Sequence, residues 1–530
     1  MKVKFFSHLF CFIGLALMLV SCKRNEPTSW DSDVLIPIAR GRITLQDIAP
    51  DSILSYDENC LWHLKINRSL TDFNIDSLVS IPDTIIRKGF VVPITGGPFT
   101  IPAGQMIINQ AEDNLLNLNN VQLRRVEIES GLLQYSIKSY INGYLNCTYE
   151  MPGVTLNANP TVIQTTTQPG SGSAPFIFSG EIDLSNHFIY LTGSTGFMFN
   201  RIFTHLSISP AVDAPTPTLV SGNDSIVVEL RFINPVVRYA QGYFGQHNYH
   251  LERSIDVISD FEYLSESALN LNRAMMKLNI VNSVGTDAQI QFTTLTNNGA
   301  NFNNVVGLNY APIFQPMNIT RAFDNNGTVV PTSYEFTMNE TNSNIVGFIE
   351  NMPRRIDLVA DVTINPLGDV NDGNDFIYTR QALNANIEMD VPLAIGLSNL
   401  KLRDTLDITT TSELKADGKL YLYVNNAFPF SAKCNVIIID ASGNYEATLL
   451  DDAQIDYGIE TTVPGECIPV ESVLSIPVNQ SIISLLKSDH RIAIELIFDT
   501  PDINHPSSLY KSHWMDFKVI ADGMVQINYR

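Results

Sequence analysis

Three windows of this chain can be laid over one another without a gap across 19 positions, and nothing else constrains its fold as strongly. They are Gly131–Tyr149 (GLLQYSIKSYINGYLNCTY), Ala274–Phe292 (AMMKLNIVNSVGTDAQIQF) and Gly418–Val436 (GKLYLYVNNAFPFSAKCNV), with starts 143 and 144 residues apart. Apolar residues coincide at Tyr135/Leu278/Leu422, Ile137/Ile280/Val424 and Ile141/Val284/Phe428. They coincide again at Leu145/Ala288/Ala432, Cys147/Ile290/Cys434 and Tyr149/Phe292/Val436. The period is two, which is the signature of strands with one buried face. A polar residue, Ser139, Asn282 or Asn426, breaks each run before a short turn. Each window therefore predicts a strand–turn–strand hairpin, and the even spacing predicts an internal repeat.

The expected fold is mainly β: tandem antiparallel β-sandwich-like units with a few short helices. At 530 residues the chain exceeds the roughly 250–300 that one core supports. We divide it into an N-terminal β-rich region at 31–118 and three β units at 119–265, 266–405 and 406–530. A strand is expected around Leu61–Ile66. Ile345, Val346, Phe348, Ile349 and Met352 fall at helical spacing before a strand at Ile356–Ile364. Ile482, Ile483, Leu485 and Leu486 do the same before Ile492–Phe498, and Asn- and Ser-rich lead-ins supply N-caps. Thr155–Pro175 and Ser209–Asp224 read as long exposed loops.

The N-terminus speaks to location. Lys2 and Lys4 precede an apolar run from Phe5 to Val20, interrupted by Ser7 and His8, that ends in Leu19-Val20-Ser21-Cys22. This resembles the lipobox of bacterial lipoproteins. The resemblance implies a signal peptide at 1–21, cleavage before Cys22, acyl chains such as palmitate on Cys22, and a lipidated tether at 22–30. Several acyl chains give stable membrane attachment where one is marginal. No later stretch reaches the 18 apolar residues of a spanning helix.

Together with the Trp30-Asp31 start and the Asn-rich β-repeats, the lipobox resembles large uncharacterised outer-membrane lipoproteins of the Bacteroidetes. The repeated hairpin itself is similar, over about 19 residues, to the β-sandwich of late-embryogenesis-abundant type-2 domains. The Bacteroidetes resemblance implies O-glycosylation where Asp is followed by Ser or Thr and an aliphatic residue, at Ser52, Ser77, Thr84, Ser225 and Thr405. The bland alternative is a strand-opening turn capped by Asp. Lys23-Arg24-Asn25-Glu26 lacks the acidic run associated with surface export in such bacteria, which favours the periplasmic face of the outer membrane.

Local signatures of chemistry are few. The formal charge of −22 offers no basic stripe for nucleic acid. Gly193-Ser194-Thr195-Gly196 has the wrong spacing for a nucleophile elbow, and Ser412–Lys415 and Ser484–Lys487 lack the companion motifs of Ser-x-x-Lys enzymes. His247 and His250 have no H-E-x-x-H context. Asp369, Asn371, Asp372 and Asp375 cluster hard oxygen ligands as calcium prefers, although the spacing is not that of an EF-hand and a hairpin turn accounts for it. Cys60–Cys147 and Cys434–Cys467 are the disulfide pairings that stay within one half of the chain; free buried thiols are the alternative. Only three Trp are present (Trp30, Trp62 and Trp514), and most of the 19 Tyr fall at alternating strand positions as core or sheet surface.

No cofactor is expected. The leading functional reading is a non-enzymatic, membrane-anchored lipoprotein serving as scaffold, partner subunit or binding module, with an outer-membrane or envelope protein as partner. The alternative is a surface glycan-binding lipoprotein of a nutrient uptake system, for which an exposed Tyr/Trp platform is expected. A glycoside hydrolase with carboxylates distant in the chain ranks below both.

Overall fold

A strand satisfies its backbone only against a neighbour, so an alternating sequence must find sheet partners for every apolar run it contains. The computed structural model describes residues 29–47, 53–74, 76–79, 81–118, 120–256, 268–299, 304–352, 354–406, 418–486 and 490–528. The chain is 62% strand and 5% helix, which makes the sheet the only framework available to its core.

The principal strands, numbered in chain order, begin with β1 (Ser29–Ile43), β2 (Trp62–Asn74), β3 (Thr84–Val91) and β4 (Ile108–Leu115). The first repeat supplies β5 (Gln122–Ser139) and β6 (Leu145–Leu156), followed by β7 (Asn159–Thr167), β8 (Phe176–Asp183), β9 (Arg201–Pro210), β10 (Ser225–Tyr243) and β11 (His247–Asp256). The second supplies β12 (Met275–Asn282) and β13 (Ala288–Asn298), then β14 (Thr332–Asn339), helix α1 (Ile345–Glu350), β15 (Arg355–Ile364), β16 (Asp375–Tyr378), β17 (Ala382–Pro392) and β18 (Leu400–Leu406). The third supplies β19 (Gly418–Asn426) and β20 (Ser431–Ile439), then β21 (Tyr445–Ile455), β22 (Val470–Val478), helix α2 (Gln480–Leu486), β23 (Arg491–Asp499) and β24 (Met515–Asn528).

The chain divides into two units. The first comprises Met1–Lys65, Asp260–Arg273 and Val391–Arg530. Its two four-stranded sheets run in the orders β1-β24-β19-β22 and β18-β23-β20-β21. The second comprises Ile66–Ser259 and Ala274–Asp390. It holds a ten-stranded sheet built on β10, β5, β6 and β9, a sheet containing β2-β17-β12-β14, and a sheet containing β11-β15-β13 in that order.

The repeat is real, but its unit is not a hairpin. β12 and β13 lie in different sheets, as do β19 and β20, and the short strand Phe188–Tyr190 stands between β5 and β6. The turn is thus an arch that carries the chain away from its own strand's hydrogen-bonding neighbours. Of the eighteen coincident apolar residues, all but Tyr135 are buried. Tyr135 is the exception because its ring lies across its cross-strand partner Gly180: a Cβ there would stand 2.5 Å from the phenol oxygen.

The polar residue of each arch explains why the turn holds. Asn282 accepts from the Val284 N–H (2.9 Å) and donates to the carbonyls of Thr286 (3.0 Å) and Thr320 (3.1 Å). Asn426 accepts from Phe428 (2.8 Å) and donates to Phe430 (2.7 Å) and Asp456 (2.9 Å). In the first copy the Ser139 hydroxyl accepts from Ile141 at 3.4 Å. A later segment crosses each arch with the same backbone bond, from Gly170 to Ile141, Ala322 to Val284 and Gly458 to Phe428. Small residues are required there: a Cβ on Gly170 would meet the Ser139 carbonyl oxygen at 2.2 Å, and one on Gly458 the Asn426 carbonyl oxygen at 2.8 Å.

Both expected helices form and both precede a strand, α1 before β15 and α2 before β23. Ser343 Oγ accepts from the Ile345 N–H at 3.3 Å, and Asn479 caps α2 through the Ile482 N–H at 3.0 Å. Residues 31–118 do not form a region of their own. β1 pairs with β24, β2 joins the sheet of β17, β3 pairs with β10 and β4 with β9. Apart from the short pairing of Leu54–Tyr56 with β2, these early strands complete sheets whose other strands come later. Thr155–Pro175 is mostly strand rather than loop: β6 turns at Asn157 and Ala158, both at positive φ, into β7. Its Thr-rich composition, read as loop, is that of a half-exposed strand.

Candidate binding face

The candidate site follows from the alternation of β1, β24, β19 and β22. Their inward residues, among them Leu422, Val424, Phe517 and Val519, are buried. Their outward residues line up in rows across the register. One row is Arg42, Asp516, Asn425 and Glu471; the next is Arg40, Lys518, Tyr423 and Val473; a third brings Ile520 beside Tyr421 and Ser475. Arg40, Arg42, Tyr423, Glu471, Asp516 and Lys518 from these rows line an open groove of about 780 Å³, a volume within the size range of small-ligand sites. Tyr421 is the next outward residue along β19 beyond Tyr423.

Arg42 and Asp516 form a two-point ion pair, Nε to Oδ1 at 2.5 Å and Nη2 to Oδ2 at 2.8 Å. The same guanidinium lies 4.5 Å from the centre of the Trp514 ring, so the indole and the carboxylate hold it in one orientation. Tyr421 and Tyr423 are successive outward residues of β19, with ring centres 6.4 Å apart and tilted by 49°. Behind Trp514, His513 is buried against Phe428 and Tyr510, and its Nδ1 accepts from the Tyr510 N–H at 3.4 Å. Burial pushes the His513 pKa down to about 4, which keeps the imidazole neutral near pH 7. The face can stack apolar ring faces and offer donors and acceptors at fixed spacing. It brings no activated nucleophile to the groove.

Cys22 and tether residues 22–28 lie outside the described residues, as do Ser52 and Ser412–Lys415, while Ser29 and Trp30 already belong to β1. Ser77 sits in the 3₁₀ turn Asp76–Val79. Thr84 opens β3 half-buried and donates to the Pro82 carbonyl at 2.8 Å, while Asp83 accepts from the Asn234 N–H at 2.8 Å. Ser225 opens β10 half-buried, after Asp224 has accepted from the Ser221 N–H at 2.7 Å. Thr405 is exposed on β18. Asp224 thus caps a strand-opening turn, whereas Asp83 bonds to the backbone of a distant segment at Asn234.

The oxygens of the calcium candidate diverge. Asp369 accepts from the Gly373 N–H at 2.7 Å, and Asp372 faces Arg124 at 3.6 Å. Asn371 donates to Asp375 at 2.7 Å, and Arg321 stands 3.3 Å from the same carboxylate. Asp375 is buried, and burial raises its pKa to about 6 against the opposing pull of Asn371 and Arg321. The loop is a closed hydrogen-bonded turn. Among the described residues no group of three or more His, Cys, Asp or Glu is placed to hold a metal ion.

Neither expected disulfide is formed: Cys60, Cys147, Cys434 and Cys467 are all free thiols. Cys60 belongs to the first unit and Cys147 to the second. Cys434 points into the core from β20, whereas Cys467 lies beside Gly458, where it is half-buried. His247 and His250 are three apart on a strand and face opposite ways: His247 Nε2 meets the Phe244 carbonyl at 2.9 Å, and His250 Nδ1 meets Asp361 at 2.7 Å. Ser484 Oγ donates to the Gln480 carbonyl within α2 at 2.8 Å.

Sequence reading missed the binding face because its residues come from four strands far apart in the chain. The one available signal was that Tyr421 and Tyr423 occupy the outward positions of a strand whose inward positions were already assigned.

No protein-family model matches the chain, and no curated protein matches it in sequence. Among solved structures, a protein of Parabacteroides distasonis described as secreted is 13% identical, with a TM-score of 0.25, covering 52% of this chain and 83% of that one. The VP2 subviral particle of infectious bursal disease virus is 8% identical, with a TM-score of 0.12, covering 94% of this chain and 84% of that one.

Proposed function

We propose that the protein is a lipid-anchored, non-enzymatic binding module of the bacterial cell envelope, held at the outer membrane through Cys22. The outward face of β1, β24, β19 and β22 carries this reading, because it sets a half-buried aromatic pair and an oriented Arg42–Asp516–Trp514 cluster beside an open groove. The tether sequence favours the periplasmic side.

Two experiments test it. Cells fed labelled palmitate should mark the wild-type protein and leave Cys22→Ala unmarked; equal labelling ends the anchor reading. Protease treatment of intact and lysed cells should release peptides from the 168–175 loop only after lysis; release from intact cells places the protein outside.

A partner-subunit reading has its own support. Ile459 and Ile468 face each other across a two-stranded hairpin and are each 54% exposed, with Val463 between them in sequence at 55%. An apolar hairpin of this kind is a recognition element for another protein. Crosslinking from a photoreactive residue at Val463 should capture one envelope protein in cells, and a pattern of unrelated products counts against it.

A further inference from the structure

The binding face carries an uncompensated charge. Arg40 and Lys518 stand directly opposite each other across β1 and β24, both exposed. Like charges in that position repel. Arg42, one row away, is neutralised by Asp516, and Lys419 has Asp522 as its cross-strand neighbour. No carboxylate forms an ion pair with Arg40 or Lys518 among the described residues. The groove is lined by two carboxylates as well, but Asp516 is taken by Arg42 and Glu471 forms no ion pair with either cation among the described residues, which leaves Arg40 and Lys518 as its unpaired positive charges. Lys518 is also the register partner of Tyr423, so the cationic pair adjoins the aromatic pair. Glu471 lies in the neighbouring row on the far strand, opposite Asn425.

We infer that this face takes an acidic oligosaccharide. Its ring faces would pack on Tyr421 and Tyr423, and a carboxylate or sulfate would sit between Arg40 and Lys518. The inference rests on the binding reading above and adds the ligand class. A peptide of acidic residues satisfies the cations but not the ring pair, and a neutral glycan satisfies the rings but leaves the cations in repulsion.

The test uses the detergent-solubilised full chain in affinity electrophoresis. The panel contains polygalacturonate, its methyl ester, chondroitin sulfate, neutral xylan and poly-glutamate. Polygalacturonate or chondroitin sulfate should bind, with the matching neutral polymer at least ten-fold weaker and the preference shrinking as salt rises. Arg40→Gln/Lys518→Gln should erase the preference while keeping residual binding, and Tyr421→Ala/Tyr423→Ala should abolish both. Equal binding of acid and ester overturns the acidic assignment and leaves the platform standing. Poly-glutamate binding as tightly as the uronate overturns the sugar assignment. Failure with every polymer overturns this inference; the binding reading falls with it only if crosslinking from Val463 also captures no single envelope protein. Unchanged thermal unfolding of each variant separates lost contacts from lost fold.

Discussion

Asn282 and Asn426 make the same three hydrogen bonds, one repeat apart: each accepts from the N–H two residues on, donates to the carbonyl four residues on, and donates to a carbonyl of the segment that crosses the arch. Both are buried, so each amide closes a turn whose backbone groups water cannot reach. Replacing Asn426 by Ala leaves those groups unpaired and should cost about 3 kcal/mol. Asn282→Ala should match it. Ser139→Ala, which removes one long bond, should cost under about 1 kcal/mol. Urea unfolding measures all three, and a Ser139 effect as large as that of Asn426 would break the equivalence.

The segment crossing the third arch must be small. A Cβ on Gly458 would lie 2.6 Å from the Cys467 sulfur and 2.8 Å from the Asn426 carbonyl oxygen. Gly458→Ala should therefore destabilise by about 1–3 kcal/mol. Because it shares its contacts with Asn426, the double variant Asn426→Ala/Gly458→Ala should lose less than the sum of the two. Strict additivity would mean that the segment and the arch are independent.

Acid should act oppositely on the two units. His513, in the first, has a folded pKa near 4, below its ordinary 6.5, so its contribution is complete above pH 6.5 and is lost as pH falls towards 4. Asp375, in the second, has a folded pKa near 6, above its ordinary 3.8, so the second unit gains stability as pH falls from above 6 towards 3.8. Each effect is on the order of 3 kcal/mol. Hydrogen exchange followed from pH 7 to 4.5 should show protection falling around His513 and rising around Asp375. His513→Phe and Asp375→Asn should each flatten the corresponding trend, and parallel trends in both units would contradict the assignment.

Thiol chemistry distinguishes the cysteines. Burial pushes Cys147 and Cys434 up to about 12, and burial with Glu460 nearby pushes Cys467 up to about 11. A thiol reagent at pH 8 should modify exposed Cys60 rapidly in the native protein and the other three only on unfolding. A mass gain of two hydrogens on reduction, before any reagent is added, would restore a disulfide.

Much of the β framework was legible in the sequence. The alternation of Met276, Leu278 and Ile280, and of Leu420, Leu422 and Val424, placed the arch strands and their buried faces. The apolar spacing of Ile345, Phe348 and Ile349 located α1. Partner choice was not legible, because period two says which face is buried and nothing about which strand lies alongside. The chain from Asn282 to Ala288 reads equally well as a hairpin or an arch. Likewise, no local pattern ties Arg42 to Asp516, since their meeting depends on the register between the first and last strands. The Tyr421–Tyr423 pair was visible as alternation, but the cations beside it became neighbours only through that same register.

The pairing of β1 with β24 also bears on the order of assembly. β24 is the last strand described, and it lies between β1 and β19. β1 must therefore wait, unpartnered, while almost the whole polypeptide is made. The second unit, whose strands lie between those ends, has its sheets available earlier. The sheet that joins the two ends of the chain is consequently the last to close, and its first strand is the edge left exposed the longest during folding.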